Sequence, residues 1–321
     1  MTRTLRTLVT ILAVCGATQA HAQAYPSKSI HIVVPYPPGG PNDVLGRILA
    51  AGLSEAWKSP AVVENRPGAS GTIGAQAVAR AAGDGYTLLI GAGSSTTIQS
   101  ALNRNLAFDP LKDFAPITPL AAGDYVLVMN ASSPVKTFGE FVTLARKEPS
   151  GLIYGSAGNG SVSHLASELM KTFLRVSMVH VPYQGGAPAI NDLLGGHVAF
   201  VINDVSVVLS HVKAGKLVAL ATTGRARSRF LPAVPTLAES GMVGYEARAW
   251  YGLLAPRSTP AEIVDRLNAE TRRIMERPDV RTRLDAAGAE TYLTTPGEFA
   301  DFMKADLDRW GAVIRANDIK L

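Results

Sequence analysis

The sequence predicts an α/β fold of two lobes with a cleft between them. Short β-branched runs alternate with segments of helical periodicity, as in sheets covered by helices. Glycine-rich loops sit where strands give way to helices. The alternation runs through two stretches of the 321-residue chain with no low-complexity linker between them. The chain is therefore expected to cross between lobes more than once, near Pro116–Asp124 and near Tyr245–Trp250. That divides it into residues 25–120 plus 248–321 for one lobe and 121–247 for the other.

The elements follow in order. Ser29 to Pro35 is an apolar β-branched run, as a buried parallel strand would be. After the loop Tyr36–Asn42, Val44, Leu45, Ile48, Leu49 and Leu53 recur at helical spacing through Trp57. Ala61–Glu64 reads as a strand, and the loop Arg66–Gly71 opens a small-residue helix, Ile73–Ala81. Tyr86–Ile90 is the third strand. Beyond Asp124 the pattern resumes with a strand at Tyr125–Met129, a helix from Phe138 to Lys147 and a strand at Leu152–Tyr154. A helix at Val162–Phe173 and a strand at Val179–Tyr183 come next. Then follow a helix at Pro188–Leu194 and strands at Val198–Ile202 and Leu217–Ala221. Ala249–Leu254 reads as a further strand. Two amphipathic helices close the chain, one striped by Ile263, Val264, Leu267, Thr271, Ile274 and Met275, the other by Phe299, Phe302, Met303, Leu307, Trp310 and Ile314. Both stripes read as core packing.

The N-terminus reads as an export signal. Arg3 and Arg6 precede the short apolar run Leu8–Val14, and small-x-small sites end at Ala22 and Ala24. The run is too short to span a bilayer. Cleavage near Ala22 or Ala24 places the mature protein in the periplasm. Loss of Arg3 and Arg6 takes the formal charge from +5 to about +3. The single cysteine, Cys15, lies inside this segment. Leu12-Ala13-Val14-Cys15 is an imperfect lipobox because Val14 is bulky. Without Cys15 there is no disulfide, cysteine nucleophile or thiolate metal site. Lysines and arginines are scattered along helices, which argues for a solvated basic surface and against nucleic-acid binding.

Open parallel sheets bind ligands outside the carboxyl ends of their strands. Three strand-to-helix loops qualify: Tyr36–Asp43, Gly155–His164 and Tyr183–Pro188. Within them Tyr36, Pro38, Gly39, Gly40, Asn42, Asp43, Ser156, Gly158, Asn159, Gly160, Ser161, His164, Tyr183, Gln184 and Gly185 are the candidate ligand-binding residues. Ser94, just past the third strand, and Asp204 join them. Amides at a helix start lack intrahelical partners, and the helix dipole is positive there, so an anion suits the place. Glycine lets the backbone approach the ligand. These loops hold no lysine or arginine, which favours a carboxylate held by amide and hydroxyl donors. A few such bonds, each about 1.5–3 kcal/mol, less the costs of association, reach micromolar affinity, about −8 kcal/mol.

Other chemistries lack their signatures. Gly155–Gly160 has the spacing GxxGxG rather than GxGxxG, and no GxxxxGK[ST] occurs. No GxSxG occurs, and Ser161 with His164 shows no acidic orienter. His31, His164, His180, His197 and His211 form no metal-ligand pattern. Neither a catalytic residue, nor a metal, nor a cofactor is expected. Asp43 and Asn203-Asp204 carry two readings, helix capping and ligand contact; Tyr36 and Trp250 are either cleft-lining or core aromatics.

The chain also resembles the Bug (TctC-like) family of periplasmic solute receptors, the binding subunits of tripartite tricarboxylate transporters. The resemblance rests on Pro35–Asp43 with Arg47, Glu64-Asn65-Arg66-Pro67-Gly68-Ala69, Asp84–Leu88, Gly158-Asn159-Gly160-Ser161 with His164-Leu165, His180–Gly186, Leu231–Leu237, and Trp250 with Ala255-Pro256. It covers essentially the whole mature chain. It implies a two-lobed, hinge-closing receptor of the periplasmic binding protein type II kind, acting as a monomer beside membrane permease subunits. It further implies that a small carboxylate is held, partly through bridging waters, by Tyr36–Asp43 and Gly158–His164, with Tyr183–Gly186 beside them. Pro37-Pro38 stand where the family commonly has small residues, and Asn42 where it often has Thr or Ser; these departures bear on the shape of the first loop. The alternatives are a periplasmic hydrolase or isomerase on the same scaffold, and a receptor feeding a sensor kinase.

Overall fold

The computed structural model describes residues 25–316, 318 and 319; the expected export signal lies outside them. Strands β1 (Ile30–Val34), β2 (Ala61–Asn65), β3 (Thr87–Ala92), β9 (Arg248–Pro256) and the first part of β4 (Phe114–Asn130) form one sheet, in the order β2-β1-β3-β9-β4. The short β10 (Glu290–Thr291) adds to β4. The second sheet holds the last part of β4 together with β5 (Leu152–Ser156), β6 (Met178–Pro182), β7 (Phe200–Asp204) and β8 (Leu217–Thr222), in the order β8-β4-β7-β5-β6.

The βα units behave as the alternation predicts: β1 pairs in parallel with β2 and β3, and β5 with β6 and β7. The sheets are nonetheless mixed. β9 runs antiparallel to β3, and β4 runs antiparallel to β7, β8, β9 and β10. β4 is one 17-residue strand. It pairs with β9 through Asp124 and with β7 from Tyr125 onward, so it passes from one sheet to the other without leaving extended structure. The chain returns at Ala247, whose N–H bonds Thr223 O, while Thr223 N–H bonds Tyr125 O.

Helices cover both sheets: α1 (Pro41–Trp57), α2 (Thr72–Ala79), α3 (Thr97–Leu102), α8 (Ala261–Met275), α9 (Pro278–Ala287) and α10 (Pro296–Ala316) on the first lobe, and α4 (Phe138–Lys147), α5 (Val162–Leu174), α6 (Gly186–Gly195) and α7 (Val205–Lys213) on the second. Three helices follow β9 rather than the two expected, because α9 carries only a weak apolar stripe. Leu45, Ile48, Leu49 and Leu53 of α1 are buried against the sheet, each side chain contributing about 1.5–3 kcal/mol. Capping sets the starts. Pro41 opens α1 with the fixed φ that suits a first helical turn. Thr137 and Glu140 form a reciprocal capping box on α4. No described helix is long and apolar enough to cross a membrane.

Candidate functional site

Two adjoining cavities of about 420 and 350 Å³ lie between the lobes. The larger is lined by Tyr36, Pro38, Gly40, Asn42, Ser94, Ser161, Gln184, Gly185 and Asp204 among the expected residues. Gly158, Asn159 and Tyr183 line the smaller one, which Tyr36, Gln184 and Gly185 share. Gly39, Asp43, Ser156, Gly160 and His164 line neither and stand behind the loops they shape.

The first loop is pinned from inside. Gly39 takes φ +91°, a left-handed conformation that glycine adopts without strain. Its N–H donates to Asp43 Oδ2 at 3.0 Å, so this amide is not offered to a ligand as the sequence suggested. Asp43 also accepts from Arg47 Nε at 2.9 Å and Asn65 Nδ2 at 2.9 Å. Burial raises its carboxyl, but these bonds from Arg47, Gly39 and Asn65 outweigh it and hold the group below the usual range. Asp43 is not the N-cap of α1: that position is Gly40, which has no side-chain cap, and Asp43 reaches back from the first turn to the Gly39 amide. Asn42 donates to Ile90 O at 3.0 Å, which ties the α1 start to β3. Tyr36 hydroxyl bonds Ser94 Oγ at 2.7 Å and Ser70 O at 3.1 Å.

The second loop is held by two histidines. Gly158 and Gly160 take φ +120° and +70°. Gly160 N–H donates to His164 Nδ1 at 3.1 Å, which places the ring proton of neutral His164 on Nε2. Gly158 N–H donates to Ser156 Oγ at 3.1 Å, and that hydroxyl lies 2.6 Å from His180 Nε2. The amides of Gly158 and Gly160 are thus also satisfied within the chain, against expectation. Burial lowers the pKa of both imidazoles, and His180, with His164 beside it, is pushed down to about 4.

Other donors remain open. Among the described residues, no acceptor in the chain takes the amides of Val162 at the start of α5 or of Gly186 and Ala187 at the start of α6. The Gly40 amide at the entrance to α1 is likewise without a chain acceptor. All four residues line the larger cavity. Among the described residues, no lysine, arginine or histidine lines it. Most of its wall is apolar, with Pro37, Pro38, Pro188, Val207 and Trp250 prominent. Trp250 serves both expected roles. It touches the cavity yet is only 2% exposed, with its indole N–H on Asp306 Oδ2 at 2.9 Å.

Asp204 also serves in two ways: it caps α7, accepting Ser206 N–H at 2.8 Å, and it lines the cavity. Its second oxygen accepts Tyr251 hydroxyl at 2.7 Å. Sequence reasoning missed Ser70 and Gln99. Both donate to Asn159 O across the cleft, at 2.6 and 3.1 Å. The glycine-rich loop Arg66–Gly71 was a usable signal for Ser70; nothing in the residues around Gln99 marked it. Among the described residues, no group of three His, Cys, Asp or Glu side chains is placed to hold a metal ion.

Two α/β lobes, a strand shared between them and a cavity where they meet define a solute-binding protein of the periplasmic type. Residues 45–319 match the tripartite tricarboxylate transporter family receptors, and the chain belongs to that family. Protein BugT of Bordetella pertussis is 34% identical, over 100% of this chain and 99% of its own. Rpa4515 of R. palustris, solved with adipate, is 35% identical with a TM-score of 0.87, over 92% of this chain and 99% of that one. MatC of Rhodopseudomonas palustris, solved with bound malate, is 33% identical with a TM-score of 0.84, over 90% and 100% of the two chains.

Proposed function

We propose that this receptor captures a small carboxylate between its lobes and delivers it to the membrane subunits of a tripartite tricarboxylate transporter, as an exported periplasmic monomer. The observation that carries the reading is the pairing, among the described residues, of open amides at the starts of α1, α5 and α6 with a cavity lined by no cationic side chain. Unpaired amides and aligned helix dipoles favour an anion. The cavity, about 420 Å³, suits a small organic acid. Adipate and malate in the related structures are of the same chemical kind.

The hydrolase alternative has one superficial support, the contact of Ser156 Oγ with His180 Nε2. Ser156 is fully buried and His180 lies outside both cavity linings. The pair fixes the Gly158 turn instead of meeting a substrate. Thermal unfolding and tryptophan fluorescence with a panel of organic acids test the reading, since a ligand that binds only the folded state stabilises it by mass action. At least one acid is expected to raise the melting temperature; no response to any acid at saturating concentration refutes carboxylate capture.

A further inference from the structure

Four helix starts reach the larger cavity, and one of them differs from the rest. At α1, α5 and α6 amides stand open at the cavity wall. At α7 the place an anion would take is filled by the chain itself. Asp204 accepts Ser206 N–H there and turns its other oxygen to Tyr251 hydroxyl. Among the described residues, Asp204 is the only acidic one in the cavity lining, and it is 3% exposed. It pairs in register with Tyr125, the residue at which β4 passes into the second sheet, so it marks the hinge end of the cavity.

Among the described residues no cation compensates it. The ionisable groups facing Asp204 are Tyr251, Tyr125 and the carboxylate of Asp124. Arg248, which flanks the crossing, is engaged by Asp124 at 2.7 Å and by Glu290 at 3.3 Å. Burial raises the Asp204 carboxyl above its ordinary range, opposed by its bonds from Ser206 and Tyr251. A second carboxylate brought to this wall meets a like charge in a poorly screened interior, or else drives a proton onto the pair. An alkyl end meets apolar wall, and an ammonium end meets an uncompensated acceptor.

Resting on the carboxylate reading, we infer that Asp204 is a specificity-determining residue that excludes a second carboxylate at the hinge end. The preferred ligand is a monocarboxylate whose far end is apolar or carries a hydrogen-bond donor. Two related structures were solved with the dicarboxylates adipate and malate, so the two ligand classes are the ones to compare.

Calorimetric titration of the mature protein near neutral pH with chain-matched pairs tests this: butyrate and succinate, hexanoate and adipate, octanoate and suberate, with 6-aminohexanoate added. Each monocarboxylate that binds is expected to bind at least about tenfold tighter than its dicarboxylate partner. Asp204→Asn keeps the cap, because an amide oxygen also accepts the Ser206 N–H. It is expected to narrow the adipate-to-hexanoate gap by about tenfold and to weaken 6-aminohexanoate relative to hexanoate. Dicarboxylates binding the wild type as tightly as their partners, or an unchanged ratio in the folded variant, overturn the inference and leave carboxylate capture standing. Should Asp204→Asn not fold, the wild-type ratios alone decide. If no acid of either kind binds, both readings fall together.

Discussion

His164 and His180 lie face to face, with ring centroids 4.0 Å apart and planes within 9°. One accepts the Gly160 amide and the other meets the Ser156 hydroxyl, so the pair carries the cleft-facing loop from behind. Tyr154 stacks on the far face of His180, and Glu168 and Lys171 complete the charged surroundings. Both rings are held neutral.

Acid should therefore loosen this loop. The His180 pKa falls from the ordinary 6.5 to about 4, so the unfolded chain takes up a proton first. The contribution is fully present above about pH 6.5 and is lost as pH falls towards 4. The melting temperature is expected to drop across that window, and less steeply in His180→Asn. A profile for the wild type that is flat from pH 7 to about 4 refutes the assignment.

Ser70 and Gln99 latch the lobes together through one carbonyl, Asn159 O. Ser70→Ala and Gln99→Ala each remove one bond worth about 0.5–1.5 kcal/mol. Affinity should fall about two- to tenfold, mostly through faster ligand release measured by stopped flow. Unaltered release in both variants means the latch is not formed with ligand bound.

A side chain at Gly160 would have to push aside the ends of two neighbours from the other lobe. A Cβ there would collide with Gln99 Nε2 and lie 2.6 Å from Leu102, and φ is +70°. Gly160→Ala is expected to wedge the cleft open, lowering affinity more than its thermal stability suggests. Small-angle scattering should show a larger radius of gyration with ligand present; wild-type dimensions and affinity would contradict this.

Asp43 and Arg47 form one ion pair with unequal ends: Asp43 has a 5% exposed side chain and Arg47 a 56% exposed one. Asp43→Ala strands the Gly39 amide and leaves Asn65 Nδ2 only its bond to Tyr36 O; it should cost about 1–3 kcal/mol of stability, with weaker ligand binding as the first loop loses its shape. Arg47→Ala should leave stability within error. Chemical denaturation of both variants checks the contrast; equal effects contradict it.

Much of the fold was legible because β-branched runs and glycine-rich loops leave plain marks. Ile30–Val34 and the start of α5 after Gly160 fall where the pattern places them. The sequence marked Pro116–Asp124 only as a crossing between lobes; β4 runs through it as strand, taking in Pro116 and Pro119 with register shifts beside both. The helical stretch Thr97–Leu102 escaped because it is only six residues long and follows the run Ser94-Ser95-Thr96. At the site, the loops were readable but their internal bonding was not. That Gly39 and Gly160 spend their amides on Asp43 and His164 depends on side-chain geometry, which spacing along the chain does not encode.

The 17-residue β4 strand has a mechanical consequence. A joint built from a loop swings freely, whereas a paired strand resists bending along its whole ladder. Separation of the halves must then be spread as added twist over many peptides, with no single pivot. Such a joint would act as a spring, and deuterium is expected to enter the amides around Tyr125 slowly compared with those of the loops at the mouth of the cavity.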